Sequence, residues 1–154
     1  DFNRRTNNIA RRFLNRGLQA GDKVAFYMRN SPAYCETLGA CFKARLTHVN
    51  VNYRYVDDEL HYIIDNSDSR IVVYGAEFAG HIEALRPRLP GVVLWVEVTD
   101  GEMPRTDFAV GFEDLAETGD GAPLGMHRSG DDMLFLYTGG TTGMPKGVMW
   151  AHDD

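Results

Sequence analysis

The chain reads as an α/β protein built around a parallel sheet, and three observations point there. Two continuous apolar, β-rich runs, Ile71-Val72-Val73-Tyr74 and Val92-Val93-Leu94-Trp95-Val96, show no polar alternation, as expected of strands buried on both faces. Helical periodicities fall between the strand-like runs, so helix and strand alternate along the chain. After Val98 the character changes: ten of the 16 glycines lie there, and loops should dominate.

Each element has a local reason. From Phe2 to Asn15 the apolar residues Phe2, Ile9 and Phe13 recur on one helical face among arginines and asparagines. Gly17 is a helix stop, free to turn left-handed. Gly21-Asp22 turns into the short apolar strand Val24 to Met28. Ser31-Pro32 is a cap followed by a first-turn proline, opening a helix that carries Tyr34, Leu38, Cys41 and Phe42 on one stripe. A strand, Val49 to Val51, follows. Asp57-Asp58-Glu59 sets acid at the next helix start, where the backbone dipole favours it, and Leu60, Ile63 and Ile64 form its buried stripe. Ile82 and Leu85 mark a further helix that ends near Pro87, and a short one lies around Phe112 to Glu117.

Composition narrows the function. At 154 residues, 44% hydrophobic and 25% charged, the chain can build one domain with a real core. The net charge of −6, with 16 basic against 22 acidic residues and no basic run, argues against a nucleic-acid partner. No apolar run approaches a membrane span and no signal-peptide pattern precedes the first helix, so a cytoplasmic protein without a transmembrane segment is expected. Cys35 and Cys41 point in different directions on one helix, so they cannot bridge or share a metal within it; free buried thiols are expected. The histidines His48, His61, His81, His127 and His152 show no metal-ligand spacing and receive no role.

The chemistry concentrates near the end of the chain. Behind the apolar run Met133-Leu134-Phe135-Leu136-Tyr137 comes Thr138-Gly139-Gly140-Thr141-Thr142-Gly143-Met144-Pro145-Lys146-Gly147-Val148. Glycines let backbone N–H groups approach an anion, threonines add neutral donors, and the lysine adds a mobile positive charge. This is the make-up of a phosphate grip. The nucleotide-binding pattern G-x-x-x-x-G-K-[ST] does not fit: Pro145 stands where its second glycine belongs, and Gly147 follows the lysine without a hydroxyl for Mg²⁺. Val148-Met149-Trp150 looks like a strand, so the loop should join two strands and lie exposed, with no helix dipole at work.

The same stretch resembles the phosphate loop of the adenylate-forming enzymes, the acyl-CoA synthetases, amino-acid adenylation domains and luciferases. Their signature runs Thr-Ser-Gly-Thr-Thr-Gly-x-Pro-Lys-Gly-Val. Thr138 and Gly140 to Val148 match it; Gly139 stands where serine is usual. Upstream, Gly21-Asp22-Lys23-Val24, Asn30-Ser31-Pro32, Lys43-Ala44-Arg45 and Asn52-Tyr53-Arg54-Tyr55 ahead of Glu59-Leu60 resemble family segments more loosely. Arg45 replaces a usual glycine and is strained if that turn is left-handed. Each upstream piece is also an ordinary cap or turn, and scaffold roles are expected for them.

The resemblance implies the N-terminal part of the adenylate-forming fold, truncated after its phosphate loop. Residues 1–98 would form the α/β scaffold and residues 99–154 the glycine-rich loops of a partial AMP-binding domain. It implies a parent enzyme that joins a small-molecule carboxylic acid to AMP, using ATP, releases pyrophosphate and passes the acyl group to coenzyme A. Thr138, Gly139, Gly140, Thr141, Thr142, Gly143 and Lys146 would hold ATP phosphates, with Mg²⁺ bridging them. The family's metal-binding glutamate and catalytic lysine belong to later motifs, so no catalytic residue is assigned, the missing C-terminal remainder is the implied partner, and the fragment alone is expected to be inactive. The Gly139 form with Met149-Trp150 most resembles fatty-acyl or steroid-side-chain CoA ligases. The alternatives are an amino-acid adenylation or aryl-acid branch, or a non-catalytic nucleotide- or acyl-binding module.

Overall fold

A computed structural model describes residues 1–99 and 103–124 with their side chains, and 133–140 and 143–151 as backbone strands. The strands are β1 (Lys23–Tyr27), β2 (Thr47–Asn50), β3 (Ser69–Gly75), β4 (Leu94–Val98), β5 (Val110–Gly111), β6 (Met133–Gly140) and β7 (Gly143–Ala151). The helices are α1 (Phe2–Leu14), α2 (Pro32–Ala44), α3 (Asp57–Asn66), α4 (Ala79–Leu85) and α5 (Phe112–Glu117). The strands form one sheet in the order β5-β4-β3-β1-β2-β6-β7. Every neighbouring pair is parallel except β6 and β7. The expected α/β fold is therefore present, with β3 and β4 as direct parallel neighbours.

The strand runs lack polar alternation because helices cover both faces of the sheet. Val24, Phe26, Ile71, Val73, Leu94 and Val96 meet α1, α2 and α5 on one face. The intervening Ala25, Tyr27, Val72, Tyr74 and Trp95 meet α3 and α4 on the other. On α3, Leu60, Ile63 and Ile64 are buried as expected; side chains of this size contribute about 1.5–3 kcal/mol each on full burial.

Local chemistry sets the helix ends. The Ser31 hydroxyl accepts from the Tyr34 N–H at 3.3 Å, and Pro32 fills the first helical position, where a missing N–H costs nothing. Gly17 takes φ +88° after α1. Arg45 closes α2 in the left-handed conformation, φ 60° and ψ 32°, so the strain that the sequence suggested is present.

Five expectations need correction. Phe2 is 53% exposed, because it occupies the first position of α1 and only its ring edge reaches α2; a Cβ on Gly39 would come within 3.0 Å of that ring. Phe42 is likewise exposed, and the buried stripe of α2 is Ala33, Thr37, Ala40, Cys41 and Ala44, small enough for α1 to pack closely. β2 begins at Thr47, two residues earlier than Val49 suggested, and Val92-Val93 precede β4 rather than forming its start. Cys41 is buried, as expected, but Cys35 is exposed; both thiols are free.

Polar contacts lock α1 against its neighbours. Arg5 reaches Glu36 of α2 at 2.6 Å and Glu113 of α5 at 2.9 Å. Asn8 is buried; its amide donates to the Ala116 carbonyl and its oxygen accepts from the Gly121 N–H, both at 2.9 Å. Asn7 donates to the Gly121 carbonyl at 2.9 Å.

Candidate phosphate site

β6 leaves the sheet where ligands bind in open α/β folds, outside the carboxyl ends of the parallel strands. It pairs with β2 through His48↔Leu134, Val49↔Phe135 and Asn50↔Leu136. Asn50 ends β2, so Tyr137 to Gly140 run on past the carboxyl end, about 13 Å at the usual rise per strand residue. β7 returns antiparallel, with Thr138 opposite Lys146 and Gly140 opposite Gly143. The register shifts between Thr138 and Gly140: Met144 and Pro145 of β7 stand against the single residue Gly139 of β6, so the extra residue of this bulge lies on β7, where Pro145 has no N–H to give the ladder.

The strand–turn–strand expectation holds, and Gly143 to Ala151 form a strand, which removes the helix that a Walker-type loop requires. The extent differs from the sequence reading: Gly139 and Gly140 lie within β6 and Gly143 and Lys146 within β7, leaving Thr141 and Thr142 between the two strands. Both threonines, and the exposure of the whole tip, lie outside the described residues.

A second cluster stands at the same end of the sheet; of its residues only Tyr53 fell in one of the family-like segments of the sequence, and there with a scaffold role. Strand order reverses at β1, between β3 and β2, and the residues after β1 and β3 flank that switch point. There Arg29 Nε lies 3.6 Å from Glu77 Oε2, and its guanidinium sits 4.4 Å over the Tyr53 ring. Tyr53 stacks with Phe78 at 6.0 Å, and Phe78 meets Tyr27 at 4.9 Å. Both Arg29 and Glu77 are more than half exposed, so the pair is easily exchanged for another partner.

His48, left without a role by spacing, is buried on β2 beside β6. Its Nε2 is 2.7 Å from the Tyr34 hydroxyl and its ring meets Phe26 at 4.3 Å, while Nδ1 is buried without a partner. Loss of water from a charged ring lowers its pKa to about 4, so it is neutral near pH 7. Burial also pushes the Cys41 thiol well above the usual thiol range and leaves it unreactive. Among the described residues, no group of three His, Cys, Asp or Glu is placed to hold a metal ion.

These features define a parallel α/β protein with a glycine-rich hairpin running on past the carboxyl end of its sheet. The AMP-binding enzyme family matches residues 1–154, and the chain belongs to that family. It is 42% identical over 154 residues to a 3-oxocholest-4-en-26-oate–CoA ligase of Rhodococcus rhodochrous, covering 97% of this chain and 27% of the relative. It is 38% identical over 153 residues to a medium/long-chain-fatty-acid–CoA/3-oxocholest-4-en-26-oate–CoA ligase of Mycobacterium tuberculosis H37Rv, covering 97% and 28%. The solved structure of ATP-bound MatB from Rhodopseudomonas palustris superposes with a TM-score of 0.81 at 29% identity, over 99% of this chain and 29% of that one. The chain thus spans little more than a quarter of the curated relatives it matches. No helix among the described residues is long and apolar enough to cross a membrane.

Proposed function

We propose that the chain supplies the N-terminal, phosphate-gripping part of an ATP-dependent acid–coenzyme A ligase. The enzyme activates a fatty or steroid-side-chain acid through an acyl-adenylate, in the cytoplasm where ATP and coenzyme A are at hand. The observation that carries this reading is the hairpin Met133–Ala151, set at the carboxyl end of the sheet in a chain of the AMP-binding enzyme family. Residues 1–98 act as its scaffold and residues 99–154 as the loops that meet the nucleotide.

As the acid's carboxylate attacks the α-phosphorus, the bond to the bridging oxygen breaks and negative charge builds on the departing pyrophosphate. N–H groups around Gly139, Gly140 and Gly143, hydroxyls of Thr138, Thr141 and Thr142, and the Lys146 ammonium meet that charge. The hairpin residues named here carry no carboxylate to hold Mg²⁺. When bound, that ion would ride on the phosphates and be completed by groups outside these residues.

A chimera tests the proposal: this chain replaces the matching segment of the Rhodococcus relative, and acid-dependent ATP–pyrophosphate exchange is measured. Exchange that falls on Lys146→Ala supports the reading. A folded chimera that exchanges equally well with and without the lysine and with Gly143→Val overturns the assignment of the grip.

A further inference from the structure

At the amino end of the sheet, opposite the hairpin, is a depression of about 290 Å³. Its apolar wall comes from Ile64, Leu89 and Val92, and its polar groups are Arg70, Asp65 and Asp68. Arg70 is the odd residue of β3, partly exposed where every other position of the strand is buried. Its Nε is cut off from solvent and meets no acceptor. Two carboxylates line the same depression, yet neither comes within 4.0 Å of the guanidinium to form an ion pair. Opposite charges that share a small cavity without meeting leave a gap suited to a bridging group. A bare anion would find Arg70 but face two carboxylates; a bare cation would face the reverse.

We propose that this depression binds a free α-amino acid with an apolar side chain. The ligand's carboxylate accepts from the terminal N–H groups of the partly exposed Arg70 guanidinium, its ammonium donates to Asp65 or Asp68, and its side chain lies against Ile64, Leu89 and Val92. An amino acid the size of leucine fits within the volume with room for a water. β3 separates this site from the carboxyl end of the sheet by about 20 Å, so its occupant takes no part in phosphate binding.

Amide chemical shifts of the chain, followed by NMR during titration with L-leucine, test the idea. Saturable shifts at Asp65, Arg70 and Val93 are expected, with a Kd around 1 mM or tighter. Leucinamide, which lacks the carboxylate, and 4-methylpentanoate, which lacks the ammonium, should each bind at least about tenfold more weakly. Arg70→Gln should abolish the shifts while its spectrum elsewhere stays native. The exposed substitutions Asp65→Asn and Asp68→Asn, which leave the sheet untouched, should together weaken binding by a similar factor. No shift with leucine at about 20 mM overturns the proposal. So does equal binding of 4-methylpentanoate, or leucine binding that survives Arg70→Gln.

Discussion

Acid should destabilise this chain in measurable part through one imidazole. His48 has an ordinary pKa of 6.5 and a native value of about 4, because its charged form would lie unhydrated against Phe26 and Tyr34. Well above pH 6.5, by about pH 7.5, the ring is neutral in both native and unfolded chains and contributes almost no pH dependence. As pH falls below that value the unfolded chain takes up the proton first, so stability drops until the native ring also titrates near 4. The whole interval is worth about 3.4 kcal/mol, and the part between about pH 7.5 and about pH 4.5 is worth about 2.5 kcal/mol. That is a large share of the ~5–15 kcal/mol typical of a domain.

Urea unfolding at those two pH values, on the wild type and on His48→Phe, isolates the effect. Phenylalanine keeps a ring between Phe26 and Tyr34 and cannot titrate. The variant also loses the 2.7 Å bond to Tyr34, but that offset is the same at both pH values, since burial raises the Tyr34 pKa far from the acid range. Carboxylates that titrate in both proteins cancel in the comparison. The wild type should lose about 2.5 kcal/mol more than the variant on acidification. Equal losses would show that the native ring is hydrated or finds a partner for its charge, and the reasoning fails.

Three further outcomes follow from the geometry. Asn8→Ala removes both bonds to the 116–121 segment and leaves a buried carbonyl and a part-buried N–H without partners, so urea unfolding should register a loss of about 2–3 kcal/mol; a loss under about 0.5 kcal/mol would mean that water replaces the amide. Arg45→Gly relieves a left-handed arginine and should raise the unfolding midpoint by an amount equivalent to about 0.5–1 kcal/mol, and a lowered midpoint would show that the arginine side chain's contacts outweigh its backbone strain. In the chimera, Gly143→Val and Lys146→Ala should slow acyl-adenylate formation more than thioester formation from supplied adenylate, with Thr141→Val costing adenylation about ten- to a hundredfold. Loss confined to the thioester step would remove the hairpin from pyrophosphate binding.

What the sequence made legible was whatever rests on short-range chemistry. The Ser31-Pro32 helix start, the left-handed Gly17, the stripe Leu60-Ile63-Ile64 and the doubly buried β3 each depend on neighbours within a turn or two, and all appear as expected. The strand–turn–strand form of the glycine-rich stretch was legible for the same reason, since Pro145 and the apolar runs on either side disfavour a helix. The failures occur where a residue's fate is decided by a distant partner. Phe2 has the right helical phase to be buried, yet its burial depends on how far α2 extends alongside it. Tyr34 and His48 are 14 residues apart and meet only because α2 crosses back over β2. Arg29, Tyr53 and Glu77 come from three separate loops, and strand order alone brings them together.

The same division separates the reaction from the choice of acid. A phosphate grip is a local device, a few N–H groups and hydroxyls on one hairpin, so its signature survives in a linear reading and in a chain spanning about a quarter of its relatives. The choice of acid is a non-local property, set by side chains that converge from many segments. The likeness to steroid-acid and fatty-acid ligases therefore bears on the branch through overall similarity, whereas the hairpin bears on the reaction through its own chemistry. The two parts of the proposal can fail separately. A chimera that exchanges pyrophosphate with a different acid would leave the grip intact and move only the branch.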